Sequence, residues 1–283
     1  MAEIDRLKLL RGRPIKISDL LIIRQPTIGE IEEYGEAKFM NTFWLMCSSA
    51  WDMPSVYADM GIDFMTVSDW DFFIQTIYSL KLTREDTEII FGELDFSQLY
   101  PMSMQTEDGI EKTVLLNPQE YIYNNINYSP GRFIIDEEIY RETIKYIREM
   151  IGFVHKGRKA GNAATAKILI MDDRKSRSKS DGKPYESMFH NGLISLVNTE
   201  EFPYNYEEAF GITIYQFTKS LLQIQGKKQA CALLQGSMSG FVDTSGIPSE
   251  NFQWIYSEEK YNKHKGKTLK NSLAPNGGKL NIK

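Results

Sequence analysis

Helix starts punctuate this chain. Thr27-Ile-Gly-Glu30 has the T-x-x-E spacing of a capping box. In that box the Thr oxygen takes an orphan backbone N–H and the Glu reaches back to the cap. Thr83 and Asp86 repeat the spacing, Ser68 stands before DWDFFIQTIYSLKL, and Asp136 stands before EEIYRETIKYIREMIGF. Each signal precedes a run whose apolar residues recur at helical spacing. The pattern predicts helices over 28–51, 69–82, 84–92 and 137–153, with a short one opened by Pro54 and closed by Gly61. Further helices are expected over 161–173, 185–198 and 227–238.

Strand signals are few. IKISDLLIIR, residues 15–24, reads as a short strand stopped by Pro26. Between 93 and 135, LDFSQLYPMSM and IEKTVLLN flank the turn signal TEDG. EYIYNNINY and GRFIID follow around Ser129-Pro130-Gly131. This is the composition of a small antiparallel sheet. The expected fold class is therefore α+β, predominantly α-helical. The expected division is an N-terminal α+β domain over 1–135, a helical domain over 136–257 and a basic flexible tail over 258–283.

Charge is unevenly placed. The net charge is −5, with +3 in residues 1–16 and +7 from seven lysines in 260–283, so the body between stands at −15. An acidic body disfavours nucleic-acid binding by the folded part. The basic ends suit an acidic partner or a neighbouring copy, as in a homo-oligomer. No apolar run approaches the roughly 18 residues of a membrane span. The opening MAEIDRLKLLRGRP lacks an apolar h-region, and Cys47 and Cys231 read as reduced thiols, so an intracellular protein is expected.

Catalytic and metal signatures are missing from the sequence. His155, His190 and His264 form no H-x-x-H or H-E-x-x-H, and neither cysteine lies in C-x-x-C. There is no G-x-S-x-G, Walker loop or G-x-G-x-x-G. Asp172-Asp173 reads as the acidic end of an apolar helix and not as a metal pair. The expectation is no catalytic residue, no metal site, no cofactor and no enzymatic role for His155, His190 or Cys231. Residues 173–184, DRKSRSKSDGKP, carry no apolar side chain and are expected to form an exposed loop. Its Arg174, Lys175, Arg177 and Lys179 could meet phosphates, but no aromatic is interleaved for stacking on bases, so a solvated contact loop is the reading.

FPYNYEEAFGITIYQFTKSLLQIQ, residues 202–225, divides in two. Ile214, Phe217, Leu221 and Ile224 share one helix face and are expected in the core, on the helix carrying Ile194 and Val197. Tyr204, Tyr206 and Phe210 are mixed with Glu207 and Glu208 and are expected near the surface, available to a partner.

Three segments together carry a family resemblance: IIRQPTIGEIEEYGEAKF (22–39), KILIMDDRKSRSKSDGK (167–183) and NTEEFPYNYEEAFGITIYQFTKSLLQIQ (198–225). They resemble tail-region proteins encoded by tailed bacteriophages and prophages of Gram-positive bacteria, which are similar to tail-assembly chaperones. The likeness spans most of 15–257 and is compositional. It implies a non-enzymatic tail-morphogenesis protein in the host cytoplasm. Its partners would be the tape-measure protein or tail tube subunits, the former held until the tube polymerises. The alternatives are a permanent virion component, such as a connector, tail or baseplate subunit, and a nucleic-acid-binding protein.

Overall fold

Thr27 does what its spacing predicts. The Glu30 N–H donates to Thr27 Oγ1 at 3.1 Å and the Thr27 N–H donates to Glu30 Oε2 at 2.8 Å, opening α2 (Ile28–Tyr34). The helix expected over 28–51 is broken, however. Gly35, at φ +99°, ends α2 and α3 begins at once (Glu36–Cys47). The kink turns Phe39, Phe43, Met46 and Cys47 inward. A single 3₁₀ turn, Ala50–Asp52, leads into α4 (Pro54–Asp59), followed by α5 (Asp69–Leu80) and α6 (Arg84–Phe91). Ser68 caps α5 and the Thr83/Asp86 box opens α6, as their spacing predicts.

The chain is α+β and predominantly helical. The computed structural model describes residues 4–106, 108–119, 134–155, 160–180, 184–239, 246–247 and 249–252. A short helix, α1 (Arg6–Leu10), precedes the expected 15–24 strand, which is two strands. β1 (Ile15–Lys16) and β2 (Ile22–Ile23) pair antiparallel, with Ile15 opposite Ile23, because Ser18 and Asp19 make a turn between them. The second sheet has the order β3-β4-β5, all antiparallel: β3 (Tyr100–Gln105), β4 (Glu111–Leu116) and β5 (Ile134–Ile135). The expected hairpin is present, with Gly109 at φ +74° in its turn. EYIYNNINY lies outside the described residues. Val114, Leu115, Leu116, Ile134 and Ile135 are buried.

Asp136 caps α7 (Glu137–Ile151), which packs on α3, α5 and β5. An aromatic relay runs through this core: Phe39 to Phe43 (4.9 Å between centroids), Phe43 to Phe91 (6.3 Å), Phe91 to Phe96 (5.0 Å), Phe96 to Phe73 (6.3 Å) and Phe73 to Tyr140 (4.6 Å). By its internal contacts the chain divides after Thr218 into two units, 1–218 and 219–283.

The basic loop expected over 173–184 is a helix as far as Ser180. α8 runs Ala163–Ser180 and carries Arg174, Lys175, Arg177 and Lys179. Absence of apolar side chains does not break a helix when Lys and Arg, both good helix formers, fill it. Contacts to α4 hold it. The Ser55 N–H and hydroxyl donate to Asp173 Oδ2 at 3.2 and 2.6 Å, and Arg174 pairs with Asp59.

α9 (Met188–Val197), α10 (Tyr206–Phe210) and α11 (Ile214–Ser239) complete the order, with a 3₁₀ turn at Ser249–Phe252. Ile214 and Phe217 are buried as expected, and Phe217 meets Phe189 of α9 edge-on at 5.3 Å. Two details differ. Leu221 and Ile224 are only half-buried, and Ile194 is exposed, so α9 receives α11 through Phe189 rather than Ile194. The basic tail 258–283 lies outside the described residues. In the second unit, the described part of α11 buries Ala230.

Phe217→Ala is expected to cost about 3–5 kcal/mol of stability, as truncation of a buried aromatic does. Ile194→Ala should stay within about 0.5 kcal/mol. Denaturant unfolding of both variants checks which side chain carries the contact.

Asp86 gives a pH test. Burial pushes its carboxyl up, but the Thr83 N–H and hydroxyl and the Lys38 ammonium outweigh this, so it lies below its ordinary value. A lowered folded value means its contribution is complete above about pH 4 and is lost as pH falls through the folded value. Asp86→Asn is expected to cost roughly 0.5–2 kcal/mol at neutral pH. The gap from wild type should close on acidification, read from unfolding midpoints across pH.

Candidate functional site

Residues 198–211 build the aromatic surface. Asn205 and Glu208 form a reciprocal capping box, both bonds 3.0 Å, which fixes α10 although it is only five residues long. α10 leans on α2 and α9. Phe202 is buried, with its ring 5.3 Å from Tyr204. Tyr204, Tyr206 and Phe210 are 45%, 48% and 40% exposed. Asn198 Nδ2 donates to Tyr206 Oη at 3.1 Å and to the Ile194 carbonyl at 2.8 Å, which places Ile194, itself 43% exposed, beside the tyrosine. The surface is apolar in body, polar in tip and ordered.

The four basic residues of α8 do not act as one patch. At 100° per residue, Arg174 and Arg177 fall on one side and Lys175 and Lys179 on another. The first side faces α4, where Arg174 pairs with Asp59 and Arg177 Nη1 donates to Ser55 Oγ at 3.5 Å. All four side chains are exposed.

A cleft of about 660 Å³ lies within the first unit. Its apolar walls include Met40, Trp44, Leu45, Met53, Phe153 and Met188, and its charged lining is Asp52, Asp173, Arg177 and Glu186. The sequence reading missed this place. Its walls come from segments spread between Met40 and Met188, which no local pattern joins.

Beside the cleft, His155 Nδ1 stands 2.8 Å from Asp52 Oδ2, and its ring meets Phe153 edge-on at 5.1 Å. The Ser49 N–H and hydroxyl donate to the same oxygen at 3.0 and 2.9 Å. The Ser49 hydroxyl and the imidazole thus meet on one carboxylate oxygen. His190 is exposed on α9, 3.4 Å from Asn191 Oδ1. Cys231 is exposed, and Cys47 is buried, its thiol pushed up to about 12 by burial. Among the described residues no group of three His, Cys, Asp or Glu is placed to hold a metal ion. Asp173 serves instead as an acceptor at the start of α4.

Glu36 organises the edge of the cleft. Its carboxylate accepts from Tyr185 Oη (2.9 Å), Ser187 Oγ, Met188 N (2.8 Å) and Phe189 N (3.1 Å). It fixes residues 185–189, and so Glu186 and Met188, against the start of α3.

Comparison with protein-family models, with curated proteins and with solved structures gave no match.

Burial, and then donation to Glu36, pushes the Tyr185 phenol up to about 12. A raised folded value means stability present below the ordinary phenol value of about 10 and lost as pH rises through the folded one. Glu36→Gln leaves one acceptor oxygen for four donors. It is expected to cost about 1–3 kcal/mol and to move Tyr185 back toward about 10. Thermal unfolding, and ultraviolet titration differenced against Tyr185→Phe, read the two effects.

Proposed function

We propose that this chain is a non-enzymatic tail-morphogenesis protein that captures a helical partner, the tape-measure protein, by transient contact. The resemblance of residues 22–39, 167–183 and 198–225 to phage tail-region proteins supports the setting. The observation that carries the contact is the exposed aromatic surface of Tyr206 and Phe210 on a capped helix, with Tyr204 just before the cap. Tyrosine suits a surface that is alternately covered and wet, because its ring buries area and its hydroxyl keeps a polar partner. An ordered platform loses little side-chain freedom on binding. An amphipathic helix laid across it would present apolar side chains at i, i+3 and i+4. Among the described residues no helix is long and apolar enough to cross a membrane, consistent with work in the host cytoplasm.

The separation of a −15 body from a +7 C-terminal stretch favours one second reading. In it the chain stays in the virion, with the basic stretch of one copy held on the acidic body of the next. Mass spectrometry of purified particles divides the readings, since a transient factor is absent and a structural subunit is stoichiometric.

Tyr204→Ala and Tyr206→Ala are each expected to leave stability within about 0.5 kcal/mol. Each should weaken capture of a co-expressed tape-measure fragment roughly 10-fold or more, as truncation of an aromatic anchor does. Unaltered capture by the double variant would falsify this assignment of the surface.

A further inference from the structure

The cleft lined by Trp44 is a second place built for contact, and its lining differs from the Tyr204 surface throughout. Its volume, about 660 Å³, falls within the roughly 300–1,000 Å³ of small-ligand sites. Three methionines, Met40, Met53 and Met188, give it adaptable walls. Trp44 is 44% exposed, yet its ring is held edge-on against Phe153 at 4.7 Å. A large aromatic that is fixed and still open to solvent offers a surface for stacking.

The charged lining decides what would enter. Three carboxylates, Asp52, Asp173 and Glu186, stand against one guanidinium, Arg177. Asp52 and Asp173 are buried and already oriented: Ser49 and His155 hold the first and Ser55 the second. Arg177 Nη1 reaches Ser55 Oγ at 3.5 Å, the same hydroxyl that donates to Asp173, so the exposed carboxylate of the lining is Glu186, which accepts from Asn191 Nδ2 at 3.0 Å. Carboxylates fixed in a poorly solvated wall act at lower effective dielectric than in water, so they favour a cation and penalise an anion. Trp44 adds to the same preference, because an aromatic face attracts a cation.

We infer that this cleft binds an organic cation with a flat or branched apolar body, an amidinium, guanidinium or ammonium carried on an aromatic or aliphatic group. The apolar body lies along Trp44, Phe153 and the methionines, and the charge faces the carboxylate side. The same chemistry is offered by a free small molecule and by a basic side chain flanked by apolar residues in a protein.

Benzamidine is the probe. Titrated calorimetrically into the full chain at physiological salt, it should give saturable binding with a Kd of roughly millimolar or tighter. Benzamide and benzoate, of the same shape without the positive charge, should bind at least about 10-fold more weakly. Trp44→Ala should weaken benzamidine roughly 3- to 30-fold, and Glu186→Gln should weaken it with benzamide unaffected. Neither side chain is buried, and an unchanged thermal midpoint shows that each variant is folded. An acetylated Phe-Arg-Leu amide in competition assigns the source. Displacement of benzamidine at a lower concentration than benzamidine itself needs points to a protein side chain, and the reverse to a free cation. The inference fails if benzamide or benzoate matches benzamidine, if Trp44→Ala leaves the affinity unchanged, or if no saturable binding occurs up to about 10 mM.

Discussion

The first N–H groups of a helix have no partner inside it, and much of this fold follows from where those groups find acceptors. Some are served locally, by the side chains of Thr27, Ser68, Asp136 and Asn205, while Asp86 accepts from the Thr83 N–H. Others reach across the chain. The Ile28 N–H donates to the Ile212 carbonyl at 2.9 Å and the Ile214 N–H to the Pro26 carbonyl at 3.0 Å, so the starts of α2 and α11 satisfy each other. Ser55 at the start of α4 donates to Asp173 of α8. Met188 and Phe189 at the start of α9 donate to Glu36 of α3. A carboxylate at a helix start also meets the positive end of the helix dipole, which adds to the Asp173 and Glu36 bonds. These bonds set which helices lie side by side, and the aromatic relay from Phe39 to Tyr140 fills the space they enclose.

That division explains what the sequence made legible. A local cap is written in four residues, so the Thr27 and Thr83 boxes and the Ser68 and Asp136 caps could be read directly. A cap supplied from elsewhere cannot be. The helix expected over 28–51 passes over Gly35, whose φ of +99° ends α2, and α3 then starts with Glu36 facing the start of α9. The helical reading of 174–180 was lost for the same reason. Seven residues without an apolar side chain look like a loop, yet Asp173 and Arg174 tie that segment to α4. The hairpin around TEDG was legible because its turn and alternation are both local. The β1–β2 pair was not, since two-residue strands carry too little pattern to separate from one strand.

Site features follow the same rule. Exposure of Tyr204, Tyr206 and Phe210 could be anticipated because acids interrupt the aromatic run. Burial of Ile214 and Phe217 followed from their spacing. The intermediate burial of Leu221 and Ile224 did not, because spacing marks a face and not how deeply it is covered. The Trp44 cleft was invisible for a stronger reason. Its walls come from α3, from the segment after α7, from α8 and from the residues before α9, and no local pattern says that these segments meet.

The two surfaces place different demands on the scaffold. The Tyr204 surface sits on a five-residue helix that would not hold alone, since isolated helices this short are unstable in water. Its order depends on the Asn205–Glu208 box and on α10 resting against α2 and α9. The close approach of Gly29 to the Phe210 carbonyl, 3.3 Å from where a Cβ would stand, is part of that seat. A side chain at Gly29 would press on the backbone beneath Phe210 and not on solvent. Glu36 then couples the seat to the cleft, because the same carboxylate that starts α9 also positions Met188 at the cleft wall. A change at Glu36 therefore reaches both places through one helix start. A change at Tyr204 or Trp44 reaches only its own surface.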